Sequence, residues 1–341
     1  MKITRILLHQ PAGLLRLLTD AGLEGHCTGI AASGHDVDRV ASILVDTNPV
    51  DRERTWWAMK DPGEGLSASL RAGIDVALWD LSAKIAGRPL FRHLGGFRDR
   101  VPVCRAGTAA GTGRTDRAPS NIIREAKDAQ QSGFGAYRFG MRTNETSLIQ
   151  LVHEVRAAVG PEFPLVLDGQ ARRVIDEAIR IGRALDEAEF FYYDRPRPPG
   201  DHSGGKQVAG EIDTPTSTEV SSPIEASQVM SAGSADHIRT DVQSCGGFTD
   251  VLKSARCAEA FGAYCHLGGF GICDGFAHLH LAGALRNMPF IEMTGLETAS
   301  PYVRNPQRAD DGFVQVPDLP GLGMEVDLDA VMDSTSDLIE T

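Results

Sequence analysis

The feature that most constrains this 341-residue chain is a regular beat between residues 101 and 292. From residue 101 onward, short apolar runs (101–106, 136–140, 164–167, 190–193, 214–218, 237–240, 263–265 and 289–291) alternate with helical segments such as 147–159, 174–185 and 248–261. Polar residues follow the runs in step: Asp168, Asp194, Glu219, Asp241, His266 and Glu292, at gaps of 26, 25, 22, 25 and 26 residues. Each gap is one strand-helix unit. Eight such units within about 200 residues predict a (β/α)₈ barrel, whose strand ends converge on one face.

The first 95 or so residues have a different grammar. Residues 1–10 and 14–19 read as a hairpin, 36–60 as a helix, and Asp61 to Gly65 as a break. Between 67 and 86, Leu70, Ile74, Leu78, Leu81 and Ile85 recur at three and four, predicting an amphipathic helix. The expected organisation is an N-terminal α+β domain over 1–98, a barrel over 99–315, and a C-terminal segment, 316–341, that packs back on the first domain. Residues 198–205 read as a polar loop within the barrel.

Charge narrows the partners. With 34 Lys and Arg against 46 Asp and Glu, the net charge of −12 disfavours nucleic acid, whose phosphates need a basic surface. No apolar run approaches the roughly 20 residues of a membrane span, so no membrane partner is expected. The N-terminus is too short and polar for a secretory signal. Six scattered cysteines without CxxC spacing suit reduced thiols and a cytoplasmic location; Cys245 and Cys265 read as small buried hydrophobes.

At converging strand ends, Asp168, Asp194 and Glu219 would crowd three negative charges together. A cation relieves that crowding, and all-oxygen ligands suit Mg²⁺. The alternative is ordinary helix N-caps, which also follow strands. Asp241 and His266 end adjacent strands, and a carboxylate behind an imidazole makes a general base near neutral pH. Arg195, Arg197 and Lys206 are placed to meet an anionic substrate or to form a solvated loop, the loop being the expectation, and His278 and His280 read as core or surface.

Residues 73–90, Gly-Ile-Asp-Val-Ala-Leu-Trp-Asp-Leu-Ser-Ala-Lys-Ile-Ala-Gly-Arg-Pro-Leu, followed by Leu94-Gly95-Gly96, resemble the signature of the mandelate racemase/muconate lactonizing family of the enolase superfamily. Further matches run in order through Arg138, Asp168, Asp194-Arg-Pro196, Glu219, Asp241, Gly246-Gly247, His266 and Gly312 to Gly323. The resemblance implies an α/β fold, a modified (β/α)₈ TIM-like barrel with an N-terminal α+β capping domain. It implies one Mg²⁺ and removal of the proton α to a substrate carboxylate. Carried over, Asp168, Asp194 and Glu219 match the metal ligands, with Asp194 replacing the usual Glu. Asp241 and His266 match an Asp–His dyad. Glu292, or Glu297 in a competing alignment, matches the eighth-strand acid.

Two departures redirect the expectation. The family often carries Lys-x-Lys on the second strand, where this chain has Arg138 and Gly140; arginine binds a carboxylate but does not remove a proton. The first hairpin also lacks the longer loop that usually caps the substrate. The expected function is therefore a Mg²⁺-dependent hydro-lyase, an acid-sugar dehydratase. In it His266 is the base, Asp241 its partner and Arg138 the carboxylate contact, while Gln170 and Glu292 bind substrate. The partner is a small-molecule carboxylate, and a homo-oligomer is expected. The alternatives are a racemase, epimerase or cycloisomerase of the same family, or a catalytically inactive binding barrel.

Overall fold

A computed structural model describes residues 1–61, 65–107, 118–269, 272–298 and 300–341. The N-terminal strands β1 (Ile3–Gln10), β2 (Leu14–Thr19) and β3 (Glu24–Cys27) pair antiparallel. The last strand of the chain, β14 (Asp337–Glu340), adds to the edge at β1, with Leu7 opposite Glu340. Two helices follow where one was expected, α1 (Gly34–Leu44) and α2 (Arg52–Met59). Pro49 explains the break, since its ring excludes Asn48 from helical geometry and removes a donor. Residues 62–64 of the expected break lie outside the described residues.

Helix α3 (Ala68–Ile85) is capped by the Ser67 side chain, which accepts from the Leu70 amide. The expected amphipathic face is not what forms: every residue from Ala72 to Ala83 is buried. The reason is that α3 is a septum between the cap sheet and the barrel. Asp80 accepts hydrogen bonds from the His26 amide of β3 (2.9 Å), the Lys84 ammonium (2.6 Å) and the Leu322 amide of the C-terminal segment (2.7 Å). On the barrel side, Asp75 accepts from the amide and hydroxyl of Thr249, both at 2.7 Å, and Trp79 donates to the same hydroxyl. The segment that carries the family resemblance therefore holds the two halves of the molecule together.

After α4 (Leu90–His93) the barrel strands run parallel: β4 (Arg100–Ala106), β5 (Ala136–Phe139), β6 (Leu165–Asp168), β7 (Tyr192–Asp194), β8 (Thr216–Glu219), β9 (His237–Thr240), β10 (Cys265–Leu267) and β11 (Ile291–Met293). Neighbours pair in chain order from β4 to β10, and β11 returns to pair with β4. The intervening helices are α5 (Pro119–Gln131), α6 (Glu145–Val159), α7 (Ile175–Glu187), α8 (His202–Ala209), α9 (Pro223–Ala232), α10 (Val242–Cys245), α11 (Phe248–Ala260) and α12 (Phe276–Ala284). Helix α8 occupies part of the expected polar loop; Asp201 caps it by accepting from the Gly204 amide. A short antiparallel pair, β12 (Ala309–Asp310) and β13 (Phe313–Gln315), borders β4, and α13 (Leu328–Ser334) precedes β14. Cys245 and Cys265 are buried, as are His278 and His280. Among the described residues no helix is long and apolar enough to cross a membrane.

Candidate functional site

Parallel register decides which side chains meet at the C-terminal ends of the strands. Asp168 of β6 stands opposite Asp194 of β7, Asp194 opposite Ser217 of β8, Glu219 opposite Arg239 of β9, and Arg239 opposite His266 of β10. Side chains two apart on a strand point the same way, so Arg239 and Asp241 are successive residues on one face.

The three expected ligand acids do end adjacent strands, but their oxygens face guanidinium groups. Arg138 of β5, 2 % exposed, donates from Nε and Nη2 to Asp194 Oδ2 at 2.8 and 2.6 Å, and Nη2 lies 2.8 Å from Asp168 Oδ2. Arg195 donates from Nη1 to Glu219 Oε2 at 2.9 Å and from Nη2 to both Asp168 oxygens at 3.2 and 3.1 Å. Arg239 forms a bidentate pair with Glu292, both bonds 2.7 Å, and Nη1 stands 3.6 Å from Asp194 Oδ2. The other Asp194 oxygen accepts from the Ser217 hydroxyl at 2.6 Å. Burial alone would raise the Asp194 pKa, yet Arg239, Arg138 and Arg195 outweigh it and hold the carboxyl well below the usual range. Glu292 is shifted the same way, burial again being overcome by Arg239 and Arg138.

A Mg²⁺ site needs several carboxylate oxygens directed at one point. The donor type is right here, but Asp194 is one methylene shorter than the usual Glu, is fully buried, and has both oxygens engaged by Ser217 and Arg138. Asp168 and Glu219 are joined through Arg195. Among the described residues no group of three or more His, Cys, Asp or Glu side chains is placed to hold a metal. In this arrangement the residues do not fit the ion.

The expected dyad is not assembled either. Asp241 caps α10, its Oδ1 accepting from the Ser244 amide at 2.7 Å, and its Oδ2 lies 3.5 Å from His278 Nε2. His266 sits one layer deeper, stacked on Tyr192 with ring centroids 4.0 Å apart, and its Nε2 has no hydrogen-bond partner among the described residues. Burial first, then the neighbouring His237, pushes its pKa well below the ordinary histidine value. Register gives the reason. Thr240 pairs with Leu267, so Gly268, not His266, comes next to Asp241, and a Cβ at Gly268 would lie 2.8 Å from Arg239 Nη2. His278 is the imidazole nearer Asp241, but its Nε2 accepts the Val242 amide and its Nδ1 faces the Gly269 carbonyl.

The cavity at the barrel mouth has a volume of about 400 Å³. Arg138, Arg195 and Arg239 line it together with Glu219, Asp241 and Glu292. Thr240, Gln243, Ser244 and Thr294 supply further polar atoms. His266 and Gln170 do not line it; the Gln170 main-chain N–H instead donates to Asp168 Oδ1, and its side-chain Oε1 is buried without a partner among the described residues. Glu292, not Glu297, is the acid of the eighth strand.

Two residues of the site lie outside the expected set. Arg195 is drawn out of the expected solvated loop by a left-handed backbone, φ 48°, that aims it at the acids. Arg239 was detectable as the residue two before Asp241, hence on the same face, but a charge inside a strand reads poorly without its partner.

The description Mandelate racemase / muconate lactonizing enzyme, N-terminal domain, matches residues 4–95, and Enolase C-terminal domain-like matches residues 121–330. D-galactarolactone cycloisomerase of Agrobacterium fabrum is 28% identical over 90% of this chain and 86% of its own. L-talarate/galactarate dehydratase of Salmonella typhimurium is 29% identical over 83% of this chain and 71% of its own. The crystal structure of D-glucarate dehydratase from Agrobacterium tumefaciens complexed with magnesium superposes with a TM-score of 0.86 at 25% identity, covering 99% of this chain and 100% of that one. The fold is thus the cap-plus-barrel of enzymes crystallised with magnesium, and those relatives include both dehydratases and isomerases.

Proposed function

This chain belongs to the mandelate racemase/muconate lactonizing enzyme family of the enolase superfamily, and we propose that its barrel mouth binds a sugar acid through an arginine–carboxylate lattice in place of a metal. The observation that carries the reading is the mixed lining of the cavity, three guanidiniums interleaved with three carboxylates. A sugar acid needs both kinds of group. Its carboxylate takes N–H donors in the planar fork that arginine offers, while its hydroxyls need acceptors as well as donors. Glu219, Asp241, Glu292 and Gln243 provide those acceptors. A bare polyanion would be repelled by the same acids.

Removal of an α-proton has little support at this site. The family's second-strand base position is Gly140, Gly268 stands beside Asp241, and His266 is outside the cavity. The arginines remain protonated at any working pH. A second reading, Mg²⁺-dependent dehydration of the same sugar acid, is favoured by the names of the relatives and by a charge count. Asp168, Asp194, Glu219, Asp241 and Glu292 outnumber the three arginines by two. Racemisation through two bases has neither base in place.

Proton NMR in D₂O with a panel of aldonic and aldaric acids decides between them. The expected outcome is saturation transfer from the protein to at least one acid, unchanged by EDTA, with its α-proton signal intact. Signals of a 2-keto-3-deoxy acid appearing with Mg²⁺ would establish the dehydratase instead. Absence of binding across the panel would overturn both.

A further inference from the structure

We propose that Arg195 is a built-in cation that holds the place of a divalent metal, and that removing its guanidinium converts this barrel into a metal binder. One guanidinium reaches acids on three adjacent strands: Glu219 at 2.9 Å, both oxygens of Asp168 at 3.1 and 3.2 Å, and Asp194 Oδ2 at 3.7 Å from Nε. That is the set of carboxylates whose convergence calls for a cation.

The backbone is built to deliver this side chain. Arg195 takes a left-handed φ of 48°, unusual for a residue with a Cβ. Three contacts hold it there. Its amide donates to the Ser217 carbonyl at 3.0 Å, and its carbonyl accepts from the Ala171 amide at 2.8 Å. Gly169 packs so closely that a Cβ on it would lie 2.7 Å from the Arg195 carbonyl oxygen. A side chain loosely laid over a loop needs none of this. Arg195 is also 24% exposed, at the rim, whereas Arg138 and Arg239 are locked inside the barrel. Substituting Arg195 therefore opens a place reachable from solvent and leaves Asp168, Asp194, Glu219 and Glu292 with only Arg138 and Arg239, a deficit of two charges that a divalent ion fills.

The inference rests on the metal-free reading of the mouth, but its test reads metal alone, so the two fail separately. Mn²⁺ binding to the parent and to Arg195→Met and Arg195→Ala is followed by the electron paramagnetic resonance of the unbound ion and by calorimetry, with no sugar acid present. The variants are expected to bind Mn²⁺ tighter than the parent by on the order of 100-fold or more, the scale of one charge exchanged at short range. Asp168→Asn added to Arg195→Met is expected to abolish the gain. Mg²⁺ should raise the unfolding temperature of the single variants and leave the parent unmoved. Parent and variants binding Mn²⁺ equally, or folded variants that do not bind it, would overturn the proposal. If neither variant folds in metal-free buffer, refolding in millimolar Mg²⁺ becomes the readout: recovery supports the assignment and failure refutes it. Sugar-acid binding lost while the Mn²⁺ gain stands would remove only the ligand reading.

Discussion

At the barrel mouth, Asp194 is completely buried and meets Arg138, with Arg239 and Arg195 close by. At the seam between cap and barrel, Asp75 is equally buried and accepts hydrogen bonds from the amide and hydroxyl of Thr249. The same side chain at the same depth has its pKa moved in opposite directions. Guanidiniums hold the Asp194 carboxyl well below its usual range. At Asp75 burial dominates, the Thr249 donors only partly offset it, and the pKa rises to about 7. Guanidinium pairing of a buried carboxylate is found where ligands enter. Asp75 instead takes neutral hydrogen bonds beside apolar packing, with the Trp79 and Phe248 ring centroids 5.5 Å apart, while its neighbour Asp250 takes the Lys60 ammonium at 2.5 Å. Depth alone does not set ionisation; the partners do.

The largest expected effect is at the mouth. Arg138→Met strands Asp194 and part of Asp168, and should destabilise the fold by about 3–5 kcal/mol in urea denaturation. A loss under about 1 kcal/mol would mean that the lattice is slack. Next comes the seam. Because the folded-state pKa of Asp75 lies above its unfolded value, its stabilising contribution is complete below about pH 4 and is lost as pH rises through about 7. Asp75→Asn should remove that slope. Relative to the parent, the variant should gain roughly 1.4 kcal/mol per pH unit between those limits. His280, held down to about 4 chiefly by burial, titrates in both proteins and drops out of the difference. A parent and variant with parallel pH profiles would show that Asp75 is ionised after all.

A smaller effect isolates one bond in the lattice. Ser217→Ala deletes the neutral donor to Asp194 and should cost about 2 kcal/mol, measurable as a shifted urea midpoint at constant slope. The smallest belongs to the outer surface, where the exposed Arg180 pairs with the partly exposed Glu145 at 2.6 Å. Arg180→Ala should leave the midpoint unchanged, because exposed pairs gain little over water. A clear loss there would remove the contrast between buried and exposed arginine pairs.

Periodicity located nearly every strand of the barrel, because short apolar runs bounded by turn residues are local signals. It misread α3, whose three-and-four spacing conceals a helix buried on all sides, since a septum has no solvent face to betray its position. The acids at 168, 194, 219, 241 and 292 do reach the strand ends, as their spacing indicates. What they meet there was not legible. Arg195 and Arg239 each lie beside or near an expected site acid in sequence, yet their pairing depends on backbone handedness at one and on a partner 53 residues away at the other.

The sequence by itself determined the architecture and the family, because apolar periodicity and the α3 signature are properties of neighbouring residues. It also determined which acids gather at the mouth, because strand spacing is a length. Only the tertiary structure decided what neutralises them, and that His266 lies one layer beneath Asp241 instead of beside it. Those outcomes rest on strand register and on the reach of long side chains. A shift of a single residue in register turns a side chain to the opposite face, and no local pattern encodes it.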